Sequence, residues 1–201
     1  MNTLLDKCCE KCNHSPQTPC RDFVICRTEG PVCHDDPGCR RRRAELLDEI
    51  HLPADSPKRH VLICAGTGCV ASRSPVLFET LQKEISQRGL DDRVKVKITG
   101  CHGFCEQGPI MIVEPQKTFY TRVQVEDIEE IVTEHLINNK VVERLLYADP
   151  VTGERAPTYE TIPFYAKQQR LVLHNCGHIN PEEIAEYVAN GGYRALTKAL
   201  F

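Results

Sequence analysis

The sequence predicts an α/β fold for its middle portion, and three observations predict it. An apolar run, "HVLIC", stands at His60–Cys64 with the composition of a buried strand. A long amphipathic stretch with helix start and stop signals follows it at once. Short alternating runs separated by turn residues then lead to a second amphipathic stretch. On either side the pattern breaks down, into an irregular cysteine-rich, metal-binding head over residues 1–57 and an incomplete α/β tail over residues 148–201.

Each element has its own justification. In "SRSPVLFETLQKEISQRG", Ser74 is the expected N-cap, Pro75 the first helical residue, and Gly89 the residue past the end. Leu77, Leu81 and Ile85 recur at helical spacing and give the helix one apolar face. "RVKVKIT" alternates Val94, Val96 and Ile98 with charged neighbours, the pattern of a half-buried strand. "PIMIVEP" and "TFYTRV" are two strands a short turn apart, a hairpin. "VEDIEEIVTEHLINN" closes the unit with Val125, Ile128, Ile131, Val132 and Leu136 on one helical face and acids from Glu126 to Glu134 on the solvated one. That acidic row would also suit docking to a basic partner. The order is strand, helix, strand, then strand, strand, helix, which is the thioredoxin-like order; it fills residues 58–147.

The flanks are less regular. The head has too little apolar content for an ordinary core and needs metal or staples to fold. "RRRRAELLDEIHL" after Cys39 reads as a short helix, and Pro53–Pro57 as a linker. The tail reads as a turn-rich linker, a short strand "RLVLH", a helix from about Pro181, a "GGY" break and a last helix start, with apolar faces that need a partner.

Composition narrows the function classes. The chain has 201 residues and a net charge of −3, which argues against a general nucleic-acid or membrane-surface binder. Its apolar runs are too short to span a bilayer, and "MNTLLDKCCEKC" lacks the basic region and apolar core of a signal peptide. A cytoplasmic protein is expected. In that compartment its twelve cysteines point to metal ligands or reactive thiols rather than to a disulfide framework.

Four of those cysteines lie behind predicted strands, in glycine-rich loops. Cys64 and Cys69 of "CAGTGC" enclose four residues, and Cys101 and Cys105 of "GCHGFCEQGP" enclose three. A 2Fe–2S cluster takes four thiolates in two pairs, one pair per iron. Gly66, Gly68, Gly100, Gly103 and Gly108 would let the backbone approach such a cluster and adopt the positive φ values its loops often need. A tetrahedral zinc site also takes four thiolates, and its usual two- to four-residue gaps fit the second pair and, at the limit, the first. A redox dithiol would want a two-residue gap near a helix start, which neither pair has.

"CAGTGC" followed by "TGCHGFCEQGPIMIVEP" resembles the thioredoxin-like 2Fe–2S ferredoxin module. That module occurs in small subunits of NADH dehydrogenases and at the start of NADH-binding subunits of bifurcating and NAD(P)-reducing hydrogenases. The resemblance implies that Cys64, Cys69, Cys101 and Cys105 are the cluster ligands. "PFYAKQQRLVLHNCGHINPEEIAEYVANGGYRALTKAL" is similar to the opening segment of the flavin- and NADH-binding part that follows the module in hydrogenase-type chains. The resemblance therefore implies partners in a flavin/NAD(P)H oxidoreductase or hydrogenase complex, with ferredoxin among them. The glycine-rich flavin loops of that family do not follow here, and no GxGxxG-like stretch occurs. The expectation is no flavin on this chain alone, no catalysis by it in isolation, and a neighbour or longer chain that completes the site.

In the head, Cys9 and Cys12 form a two-residue-gap pair with His14 behind them, and Cys20, Cys26, Cys33, His34 and Cys39 follow. These are more ligands than one four-coordinate metal requires. Structural zinc is the leading reading and a second iron–sulfur cluster the next. Elsewhere, His102 is expected on the loop surface, Phe104 as loop packing, Cys176 as a small buried residue, and His174 and His178 as ordinary polar positions. The function expected is one-electron transfer through a 2Fe–2S cluster. Its rivals are a zinc-stabilised assembly scaffold and a thiol–disulfide oxidoreductase.

Overall fold

The structure, a computed structural model, describes residues 52–200. The head ligands Cys9, Cys12, His14, Cys20, Cys26, Cys33, His34 and Cys39, and the helix expected after Cys39, lie outside the described residues. The chain divides into two compact units. One is Leu52–Pro181; of the other, residues 182–200 are described.

Leu52–Pro181 is built on a four-stranded mixed sheet of β1 (Arg59–Cys64), β2 (Val94–Thr99), β3 (Met111–Glu114) and β4 (Thr118–Tyr120), in the order β2-β1-β3-β4. β1 and β2 are parallel, with Arg59 opposite Val94 and Cys64 opposite Thr99; β3 runs antiparallel to β1 and pairs with β4 as the expected hairpin. Two parallel neighbours need a crossover. It comprises a short helix α1 (Thr67–Ala71) and the long α2 (Ser74–Gln87).

α2 starts and stops for identifiable reasons. Its N-cap is Arg73, in the left-handed region at φ 68°, so Ser74 sits one residue further in than expected and is buried as the first helical residue. Pro75 occupies the first turn, where a missing N–H costs nothing. At the other end the Leu90 N–H reaches the Ile85 carbonyl at 3.0 Å and the Gly89 N–H reaches Ser86 at 3.1 Å, with Gly89 at φ 65°. That double bond is the glycine-terminated Schellman ending that the sequence advertised.

The sheet is buried on both faces, and strand alternation sorts the side chains between them. Val61, Ile63, Met111, Val113 and Tyr120 join Leu77, Leu81 and Ile85 of α2 on one face. The closing helix α3 begins at Ile128–Glu130 and widens into a π-helical turn over Ile131–Ile137; it adds Ile128, Ile131, Val132 and Leu136 to the same face. The acids of this helix are not simply solvated: Asp127 is buried, and it and Glu130 both accept from Arg144.

Leu62, Cys64, Ile110, Ile112 and Phe119 point to the opposite face. Its cover comes from beyond residue 147. A two-stranded ribbon of β5 (Tyr147–Ala148) and β6 (Arg155–Ala156) leads to a short helix α4 (Pro163–Ala166), and Tyr147, Ile162 and Tyr165 bury against this face. This part of the tail thus has a core to join. The predicted strand "RLVLH" is absent: Arg170–His174 forms bends and turns, with Leu171, Val172 and Leu173 exposed. The described residues of the other unit contain α5 (Ile184–Ala189), starting three residues after the expected Pro181, and α6 (Arg194–Leu200).

Candidate metal centre

Parallel pairing of β1 and β2 decides where the four central cysteines go. Strands running in the same direction deliver their following loops to the same end of the sheet. The Cys64–Thr99 register therefore sets the loop holding Cys69 beside the loop holding Cys101 and Cys105. Strand parity turns Cys64 to the face it shares with Leu62, and α1 carries Cys69 back toward it with its side chain buried. Cys101 is half-buried, and Cys105, opening a 3₁₀ turn at Cys105–Gln107, is exposed; none of the four is in a disulfide.

The thiols are arranged in pairs. Cys101 Sγ lies 3.9 Å from Cys105 Sγ. Two thiolates on one tetrahedral metal, at about 2.3 Å each, lie roughly 3.8 Å apart, so this pair already has the spacing of two ligands on one ion. The neighbouring Cys69 thiol, then N–H groups of Gly66 and His102, lower the Cys64 thiol to about 6 against the opposing effect of burial. Cys69 is raised in turn by the Cys64 thiol and by burial. Cys101 is raised by burial, partly offset by the Gly103 N–H, which donates to Cys101 Sγ at 3.2 Å. No three His, Cys, Asp or Glu side chains among the described residues surround a single-ion position.

The two loops close on each other through glycines. A Cβ on Gly66 would stand 2.8 Å from Cys101 Cβ and 3.0 Å from its Sγ, and one on Gly108 would stand 2.9 Å from Cys69 Sγ. Each loop thus makes room for a cysteine of the other. Gly100 has no such role, since a Cβ there would meet nothing closer than 3.8 Å.

Two flanking residues differ from expectation. His102 is not on the surface: it is 1% exposed, and its Nε2 lies 3.1 Å from the Gly177 carbonyl. Burial first, then the charges of His178 and Arg170, lower it to about 4 and keep the ring neutral. Its Nδ1 has no partner among the described residues. Cys176 is half-buried rather than buried, while His178 lies 3.1 Å from the Tyr159 hydroxyl and His174 is exposed. Phe104 packs as expected, with its ring 5.1 Å from those of both Tyr147 and Tyr165.

Sequence reasoning missed Tyr165 and Arg170. Both donate to the His102 carbonyl, at 2.8 and 2.6 Å, and the Arg170 guanidinium lies 4.8 Å from the Tyr165 ring centre. Nothing in "FYAKQQR" signals a contact some 65 residues away in the chain, beyond the pairing of an aromatic with a following arginine.

Comparison with known proteins identifies a family for this fold. Residues 53–136 match the family described as thioredoxin-like [2Fe-2S] ferredoxin. A 2Fe-2S ferredoxin of Clostridium pasteurianum is 38% identical over 98 residues, spanning 45% of this chain and 96% of that one. A 2Fe-2S ferredoxin of Aquifex aeolicus is 30% identical over 97 residues, 44% of this chain and 87% of that one. The crystal structure of the wild-type thioredoxin-like [2Fe-2S] ferredoxin from Aquifex aeolicus matches at 28% identity and a TM-score of 0.44, covering 47% of this chain and all of that one. Two pairs of thiols at one end of a thioredoxin-like sheet suit a metal–thiolate centre. This chain belongs to the thioredoxin-like [2Fe-2S] ferredoxin family. Ferredoxin-type electron transfer through a 2Fe–2S cluster is the function that membership supports.

Proposed function

We propose that Cys64, Cys69, Cys101 and Cys105 hold one 2Fe–2S cluster, and that the chain passes single electrons within an NAD(P)H-linked oxidoreductase or hydrogenase complex. The observation that carries the ligand assignment is the meeting of two glycine-lined loops, each with one cysteine pair, at one end of the sheet. Two pairs of thiols suit two irons. When bound, the cluster supplies a reversible one-electron change shared between two irons. The chain's own residues orient the thiols, keep the His102 ring neutral, and donate the Gly103 N–H to Cys101. Support for the complex comes from the likeness of the tail to the opening of a flavin- and NADH-binding part. No helix among the described residues is long and apolar enough to cross a membrane, in keeping with a cytoplasmic setting.

The head is proposed to bind zinc, or a second iron–sulfur cluster, through a subset of Cys9, Cys12, His14, Cys20, Cys26, Cys33, His34 and Cys39. One set of measurements covers both sites. Iron, sulfide and zinc counts with absorption and electron paramagnetic resonance spectra, on anaerobically purified chain, should show two irons at the central site and further metal in the head. Replacing any one of the four central cysteines with Ala should abolish the reduced-state resonance and leave the head metal in place. Full iron and sulfide in all four variants would refute the ligand assignment.

A further inference from the structure

The segment from Tyr159 to Ile179 lies beyond the matched family region, which ends at residue 136, and it binds the second cysteine loop at successive points. Thr99 Oγ1 donates to the Ile179 carbonyl at 3.0 Å, and the His102 ring reaches the Gly177 carbonyl at 3.1 Å. Gly177, at φ 89°, leaves the space that the ring needs, since a Cβ there would stand 2.2 Å from it. Tyr165 and Arg170 then converge on the His102 carbonyl at 2.8 and 2.6 Å.

That carbonyl belongs to the same peptide group as the Gly103 N–H, which donates to Cys101 Sγ at 3.2 Å. Two donors on the oxygen, one of them a cation, draw electron density toward it and leave the N–H more positive. Hydrogen bonds that share one peptide reinforce each other in this way. A stronger N–H donor to a cluster sulfur favours the more negative, reduced state and raises the potential. A bare guanidinium near the cluster would also raise it, but a phenol hydroxyl brings no charge. The two residues therefore separate a peptide route from a through-space one.

We propose that Tyr165 and Arg170 are positioning residues that act through the His102–Gly103 peptide on Cys101, raising the potential of the centre and fixing the environment of one of its sulfurs. The proposal rests on the reading that Cys101 is a cluster ligand. It gives the segment after the family region a role in electron transfer, beyond covering the sheet.

The test uses the full chain with reconstituted cluster, as wild type and as Tyr165→Phe, Arg170→Gln, Arg170→Lys and Cys101→Ala. Iron and sulfide are counted, and potentials are read by spectroscopic titration. Arg170→Gln is expected to lower the midpoint by the equivalent of about tenfold in the reduced-to-oxidised ratio, or about 59 mV for one electron. Tyr165→Phe should lower it by a smaller but resolved amount, and both should change the resonance of the reduced state. Arg170→Lys, which keeps the charge and a donor, should recover most of the loss. An unchanged midpoint and resonance in Tyr165→Phe at full iron content overturns the peptide route, even if Arg170→Gln shifts by charge alone. Should Arg170→Gln fail to fold, Tyr165→Phe decides the matter by itself. A Cys101→Ala chain that keeps its cluster with an unaltered spectrum overturns the ligand reading and this proposal with it. Loss of the cluster in Cys101→Ala together with an unmoved Tyr165→Phe overturns this proposal alone.

Discussion

Gly66 shows how much of the centre depends on atoms that are not there. Its absent Cβ is the space in which Cys101 stands, at 2.8 Å from Cβ to Cβ. Backbone carries both partners, so neither can give way by rotating a side chain. Gly66→Ala is expected to push the two loops apart and lower iron per chain severalfold, with a less cooperative loss of colour on warming. Gly100→Ala, where the nearest atom would be 3.8 Å away, should retain wild-type iron. Metal analysis of the two variants side by side checks the contrast, and equal iron in both would refute it. Sequence spacing identified all five glycines of the two loops as equivalent, because close approach is a property of pairs of residues that only the folded register brings together. The same limit hid the burial of His102, whose pocket is made by Gly177 from a distant turn.

The closing helix carries a buried polar contact that links stability to pH. The Val142 N–H donates to the Tyr120 hydroxyl at 3.0 Å, and that hydroxyl lies 2.8 Å from His135 Nδ1, within hydrogen-bond reach. Burial, then the charge of Arg59, lowers His135 to about 4 and keeps it neutral in the folded chain. In the unfolded chain it takes a proton near 6.5. Between about pH 6.5 and 4 the unfolded state therefore binds more protons, and stability falls as pH falls; above this window the group exacts no penalty. The full loss from this one residue is about 3 kcal/mol, and His102 and His178 act in the same direction. Urea unfolding at pH 7 and pH 4.5 should show a shallower acid loss in His135→Asn, whose side-chain amide can still hydrogen-bond the Tyr120 hydroxyl. An identical pH slope in variant and wild type would exclude His135 as a source. At this scale β1, α2 and the hairpin were legible, β1 from its continuous apolar run, α2 from its period and end signals, and the hairpin from two strand-like runs a short turn apart. Arg170–His174 carries a strand-like apolar run as well, yet a strand needs a neighbour to complete its hydrogen bonds, and among the described residues none pairs with it.

Over Leu52–Pro181 the sheet has one helical cover and one made of turns, and both belong to the same compact unit. Leu81 is 0% exposed on the helical face and Ile162 is 1% exposed on the other. Leu81→Ala and Ile162→Ala should each cost about 2–5 kcal/mol, the range for a buried branched side chain cut to a methyl. If the segment after residue 147 is integral to the fold, both variants will shift a single unfolding transition followed by circular dichroism. A separate early transition in Ile162→Ala, with the main one unmoved, would make that segment an appendage. The thioredoxin-like order was readable from residues 58–147 alone. What covers the second face was not, because Ile162 and Tyr165 are single apolar residues in a turn-rich stretch with no period to reveal them.

The two margins of the sheet are treated differently. β4 is flanked by isolated bridges, Thr118 to Thr158 and Tyr120 to Leu146, so its outer backbone groups are partly engaged. β2 has no outer neighbour among the described residues and alternates lysine with apolar side chains, with Lys95 exposed. A foreign strand laid against it would have to draw an ammonium group out of water, a familiar guard against edge-to-edge polymerisation. The chain can thereby keep a short parallel strand at its margin, as delivery of Cys101 and Cys105 beside Cys69 requires, without offering a template for self-association.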